Sequence, residues 1–188
     1  MANIKDYRYK LIKNFFSKEE LELLQRYCYH KLDEQWKPDL TTDCPSFYND
    51  ALTKFFLEKK QKLVEKESGL ELYKTYSYWR YYMYGSSLLM HKDRPSCEIS
   101  VTACIQHSNP WPITIDGKDV YMKEGEAVIY LGCEILHGRK QLKHDSNAQV
   151  FFHYVDKKGN FNHHQYDNYF KTTGKKYKEG ELKWKKKQ

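Results

Sequence analysis

From Leu70 onward the sequence breaks into short strand-like runs divided by turn residues, and this spacing is its strongest constraint on fold. Leu70 to Met83 is dense in Tyr and Trp, and further runs cover Ile99 to Ile105, Ile113 to Tyr121, Ala127 to Tyr130 and Gln149 to Val155. Ser108-Asn109-Pro110, Asp116-Gly117 and Glu124-Gly125-Glu126 punctuate them. Many short strands at close spacing predict a sandwich or a double-sheet barrel. Upstream the texture is helical. Tyr9 to Phe16 reads as a short strand leading to Ser17, a helix cap with Glu20 at the reciprocal position, and Leu21, Leu24, Cys28 and Leu32 form an apolar stripe ending before Pro38. A second amphipathic helix is predicted from Asp50 to Lys66, stopped by Ser68-Gly69. The expectation is an α+β chain with its helices packed on one sheet of a β core.

The 188 residues suit one domain. It is expected over 1–156, with a helical part over 1–68 and the β core over 70–156, followed by a lysine-rich extension over 157–188. That extension holds ten lysines against Asp167, Glu179 and Glu181, and so carries the whole formal charge of +7. It is expected to be a solvated terminus, with contact to nucleic acid or an acidic partner as the alternative. No apolar run approaches the ~20 residues that span a bilayer, and the N-terminus lacks a secretory signal, so a cytoplasmic location without membrane contact is expected. Five cysteines without a CxxC pair point to reduced, mostly buried thiols rather than disulfides or a thiolate zinc site.

The chemistry concentrates in Leu88-Leu89-Met90-His91-Lys92-Asp93. Alternate residues of an extended chain share a face, so His91 and Asp93 can point the same way. An imidazole and a carboxylate from one segment, joined by a histidine from a distant strand, form the facial triad that suits non-haem iron(II). His137 is the natural third ligand, because the apolar run Ala127 to Leu136 can carry a strand back to the other two. His107, His144, His153, His163 and His164 have no carboxylate at comparable spacing.

These features fall in an order that resembles the prolyl 4-hydroxylase-like branch of the 2-oxoglutarate/Fe(II)-dependent dioxygenase superfamily. The similarity runs from about Phe15 to Asp156. It is strongest in Tyr76-Ser77-Tyr78-Trp79-Arg80-Tyr81-Tyr82-Met83-Tyr84-Gly85 and in His91-Lys92-Asp93-Arg94-Pro95-Ser96-Cys97-Glu98-Ile99-Ser100. It resumes in Glu124 to Tyr130, before the distal histidine, and in the closing strand Gln149 to Asp156. The resemblance implies a double-stranded β-helix core (jelly roll, cupin-like), with Fe(II), 2-oxoglutarate as co-substrate, and dioxygen. The implied reaction is hydroxylation of a C–H bond in a peptidyl substrate, such as a prolyl residue, or in a small molecule, with release of succinate and CO2.

The far carboxylate of 2-oxoglutarate needs a fixed cation, and a guanidinium fork suits it. Arg139, two residues beyond His137 on the same face of an extended strand, is the first candidate. Relatives of this branch usually place an Arg or Lys nine to twelve residues beyond the distal histidine, where this chain has Ser146, Asn147, Ala148 and Gln149. Lys143 is a substitute. Tyr82, the tyrosine of the Y-x-x-G element Tyr82-Met83-Tyr84-Gly85, is a second co-substrate contact by resemblance. Arg94 and Glu98 follow the HxD closely enough to orient ligands or meet substrate. Two alternatives stand beside this reading: a nucleic-acid-directed 2-oxoglutarate oxygenase using the basic tail and stacking tyrosines, and a catalytically inactive cupin-like binding protein.

Overall fold

The computed structural model describes residues 3–34, 37–38 and 44–167; most of the lysine-rich extension lies outside the described residues. The helices are α1 (Ile4–Tyr7), α2 (Lys18–Lys31) and α3 (Ala51–Ser68). The strands are β1 (Tyr9–Ile12), β2 (Lys37–Pro38), β3 (Pro45–Tyr48), β4 (Leu72–Met83), β5 (Leu88–His91), β6 (Ile99–His107), β7 (Ile113–Ile115), β8 (Lys118–Val120), β9 (Ala127–Leu131), β10 (His137–Arg139) and β11 (Ser146–Asp156). Among the described residues they form a seven-stranded sheet, β1-β9-β6-β11-β4-β3-β2, and a four-stranded sheet, β5-β10-β7-β8. Every strand pairing is antiparallel.

The helices begin where side chains satisfy their orphan N–H groups. Ser17 accepts from the Glu20 amide, and the Glu20 carboxylate accepts from the Ser17 amide; a cap of this kind is worth about 1 kcal/mol. Asp50 caps α3 by accepting from the Leu52 amide, and the helix stops at Gly69, which is left-handed with φ 70°. The long run expected over Ile113 to Tyr121 is two strands. Asp116 and Gly117 both have positive φ, 51° and 76°, which matches the two-residue turn whose twist suits a tight hairpin. β1 and β3, from the part of the chain before Gly69, join the larger sheet at its two sides.

The helices cover one face of that sheet. Phe152 of β11 packs on Phe15 and Phe16, and Phe16 meets Phe56 of α3 edge-on at 5.5 Å. Tyr154 donates its hydroxyl to the Leu57 carbonyl, and Thr53 of α3 hydrogen-bonds Ser77 of β4. Leu24, Cys28, Leu57, Val64 and Trp79 are fully or almost fully buried here, and their removal from water is the main stabilising contribution. Strand alternation sends the intervening residues the other way. Tyr76, Tyr78 and Arg80 of β4, with Phe151 and His153 of β11, line a cavity instead of the helical core.

Candidate metal centre and cavity

His91 ends β5, and Asp93 lies just past it, where its amide donates to the Gly132 carbonyl at 2.9 Å. The strand ends earlier than alternation along an extended run would have it; this backbone hydrogen bond and the buried carboxylate hold Asp93 in place. His137 opens β10 and pairs with His91 across the smaller sheet. One nitrogen from each imidazole and one carboxylate oxygen of Asp93 lie within 4.8 Å of one another. Each histidine Nε2 is 3.5 Å from Asp93 Oδ1.

The protons can be placed from the partners. His91 Nδ1 is 2.8 Å from the Leu89 carbonyl and His137 Nδ1 is 2.9 Å from the Ile135 carbonyl. A carbonyl only accepts, so each Nδ1 carries hydrogen and donates. In the neutral rings both Nε2 lone pairs then face a carboxylate oxygen. Three electron-rich atoms at this spacing repel unless a cation, proton or metal, sits among them. Burial opposes ionisation of Asp93, but His137 and His91 outweigh it, and the carboxyl stays well below the ordinary carboxylate range. Beside Asp93 the His91 imidazole is in turn raised above its usual value.

A second layer fixes Asp93. Ser100 Oγ donates its one proton to Asp93 Oδ2 at 2.7 Å, so His153 Nδ1, 2.9 Å from Ser100 Oγ, is the donor on the other side. Burial lowers the His153 imidazole to about 4, which keeps it neutral. Gly132 leaves room for this arrangement: a Cβ there would come within 2.5 Å of Asp93 Oδ2 and 2.7 Å of Ser100 Oγ. Asp93, Cys97 and His153 also place ligand-type atoms within 4.8 Å of one another. That group is the poorer metal donor set, since burial pushes the Cys97 thiol far up and keeps it protonated.

The cavity beside the triad measures about 760 Å³, and His91, Asp93, His137, Tyr130, Arg80 and Phe151 are among the residues lining it. Arg139 and Tyr82 are not among them. Arg139 is 2 % exposed on β10. Its Nη1 donates to the Trp111 carbonyl at 2.8 Å and its guanidinium lies 4.8 Å from the Trp111 ring, but Nε and Nη2 have no hydrogen-bond partner. Burial lowers its basicity, with Tyr82, Cys104 and Tyr130 around it. A buried guanidinium with Nε and Nη2 unsatisfied is costly unless an anion completes it. Tyr82 packs edge-on against Trp111 at 4.9 Å and accepts from Arg80 Nη1 at 3.3 Å.

Other candidates fall elsewhere. Lys143 is exposed. Gln149, in the span where relatives carry a cation, is buried and donates to Asn147 Oδ1 at 2.6 Å while accepting from Thr102. Glu98 accepts from the Asp156 amide and serves the end of β11. Arg94 lines the cavity and pairs with Asp167. The sequence reading overlooked Arg80, Ser100 and Tyr130. Arg80 was within reach, because it shares strand parity with Tyr82; Ser100 and Tyr130 needed the sheet pairing.

No family model and no curated protein matches the sequence. Solved structures do match. A Pseudomonas putida prolyl-4-hydroxylase superposes with a TM-score of 0.64 at 14% identity, covering 80% of this chain and 94% of that one. An oxidoreductase of the 2OG-Fe(II) oxygenase family from Burkholderia pseudomallei gives 0.63 at 12%, covering 81% and 87%. The viral collagen prolyl hydroxylase from Paramecium Bursaria Chlorella virus-1, solved as its 2OG complex, gives 0.59 at 11%, covering 78% and 95%. The resemblance read in the sequence and the backbone agree: this chain has the double-stranded β-helix fold of the 2-oxoglutarate- and iron(II)-dependent oxygenases, in a form similar to the prolyl-4-hydroxylases.

Proposed function

We propose that the chain is a 2-oxoglutarate- and Fe(II)-dependent dioxygenase that hydroxylates a C–H bond of a peptidyl substrate, such as a prolyl residue, or of a small molecule. The observation that carries this reading is the meeting of two imidazole lone pairs and one carboxylate oxygen on the wall of a cavity, a donor set suited to non-haem iron(II). The buried, incompletely paired Arg139 supports it. Bound iron would supply the oxidation chemistry, with 2-oxoglutarate leaving as succinate and CO2.

The protein's part is placement. The Leu89 and Ile135 carbonyls fix the two rings through their Nδ1–H groups, and Ser100 holds Asp93 by its second oxygen. Neither Arg139 nor Tyr82 lines the cavity, so the far carboxylate of 2-oxoglutarate would have to pass the lining residues to meet the Arg139 Nε and Nη2 donors, with Tyr82 as a phenol contact. Tyr130 and Phe151 give the cavity apolar walls that exclude water from the reacting bond.

The test is succinate release from purified protein given ferrous iron and 2-oxoglutarate under air, with and without candidate peptides. Turnover that disappears in His91→Ala and His137→Ala is expected. Absence of both succinate and iron binding in a folded wild-type chain would leave an inactive binding barrel.

A further inference from the structure

Arg94 follows Asp93 directly and lines the same cavity, and its guanidinium lies 4.7 Å from the Tyr76 ring. A carboxylate already sits on it. Asp167 Oδ1 and Oδ2 accept from Arg94 Nη1 and Nη2 at 2.5 and 2.7 Å, and Asp167 Oδ2 also accepts from the Tyr48 hydroxyl at 2.7 Å. An arginine fork and a phenol on an aromatic floor form a complete carboxylate site. Asp167 belongs to the segment after β11 and is 3 % exposed, whereas Arg94 is 44 % exposed. Nearby, the Tyr166 amide reaches the Lys74 carbonyl at 3.3 Å and the Asp167 amide the His164 carbonyl at 3.0 Å. Tyr166 and Asp167 both carry positive φ, 68° and 39°, which is unfavourable for side-chain-bearing residues.

We propose that Arg94 and Tyr48 are specificity-determining residues that anchor a carboxylate of the prime substrate, and that Asp167 occupies their site until that carboxylate displaces it. Naming a substrate rests on the oxygenase reading above; the carboxylate site itself does not. An internal carboxylate competes at high effective concentration, so an incoming acid gains affinity when Asp167 is removed.

Two probes separate the sources of the group: N-acetylglycine carries a terminal carboxylate, and N-acetylaspartate α-methylamide a side-chain one. Each is titrated into the full chain by calorimetry without iron or 2-oxoglutarate, beside its carboxamide counterpart. At least one acid should bind Asp167→Asn at least tenfold more tightly than wild type, with no gain for the amides, and Arg94→Gln in the Asp167→Asn background should remove the gain. In wild type, a saturating acid should speed hydrogen exchange at the Tyr166 and Asp167 amides, a readout that needs no variant. Equal affinity for acids in both proteins, or unchanged exchange under the acid, makes the Arg94–Asp167 pair a structural tie and overturns the proposal. Iron binding by His91, Asp93 and His137, measured separately, tells a failure of the oxygenase reading from a failure here.

Discussion

His137 stands directly opposite His91 in the β10–β5 pairing, and their rings lie 4.4 Å apart with Asp93 in reach of both. Either ring alone leaves one nitrogen and one oxygen donor. His91→Ala and His137→Ala should each weaken ferrous binding by at least 100-fold, as measured by calorimetry under anaerobic conditions. His137→Ala should also cost about 1–2 kcal/mol of stability because the ring is buried, and His91→Ala less.

Arg139→Met removes a buried cation whose Nε and Nη2 are unsatisfied. The metal-free protein should lose little stability or gain some, since an isostere relieves the desolvation cost. The KM for 2-oxoglutarate should rise about 30- to 100-fold, equivalent to ~2–3 kcal/mol for a charge-assisted pair. An unchanged KM would rule out Arg139 as the co-substrate anchor.

Ser100→Ala frees one oxygen of Asp93 and leaves the His153 N–H without its acceptor. Metal affinity should fall about 10-fold while the fold is retained, the effect expected for a partner that orients a ligand. Titration of ferrous iron against wild type and variant checks this.

Gly132→Ala inserts a methyl 2.3 Å from the Cys97 carbonyl oxygen and 2.5 Å from Asp93 Oδ2. The cost is about 1–3 kcal/mol of overpacking, and Asp93 must shift. A lower melting temperature together with weakened iron binding is expected.

Glu20 ties α2 to α3 through Lys60 and Lys59. Burial opposes its ionisation, but the two lysines and the Ser17 amide prevail and lower the carboxyl to about 2. A depressed folded value contributes stability that is complete above the unfolded value near 4.5 and is lost as pH falls toward 2. Denaturation curves should therefore show roughly 2 kcal/mol lost across that window. Glu20→Gln should be less stable at neutral pH and flatter through it.

The local chain settled much of this protein. Ser17 with Glu20, Asp50 and Gly69 marked the helix ends and Asp116-Gly117 marked a turn, because capping and turn preferences act over a few residues; Asp93, past the end of β5, is positioned instead by its hydrogen bond to the Gly132 carbonyl. Tertiary packing decided the rest. That His137 reaches the other two donors depends on the β10–β5 register, and that Arg139 is buried without an anion depends on Trp111 arriving from a distant loop. Ser100 is paired with Tyr130 between β6 and β9, His153 meets Ser100 across 53 residues, and Asp167 meets Arg94 across 73. Such contacts are fixed by the burial of whole faces, and no short window of sequence contains the chain segments that meet there.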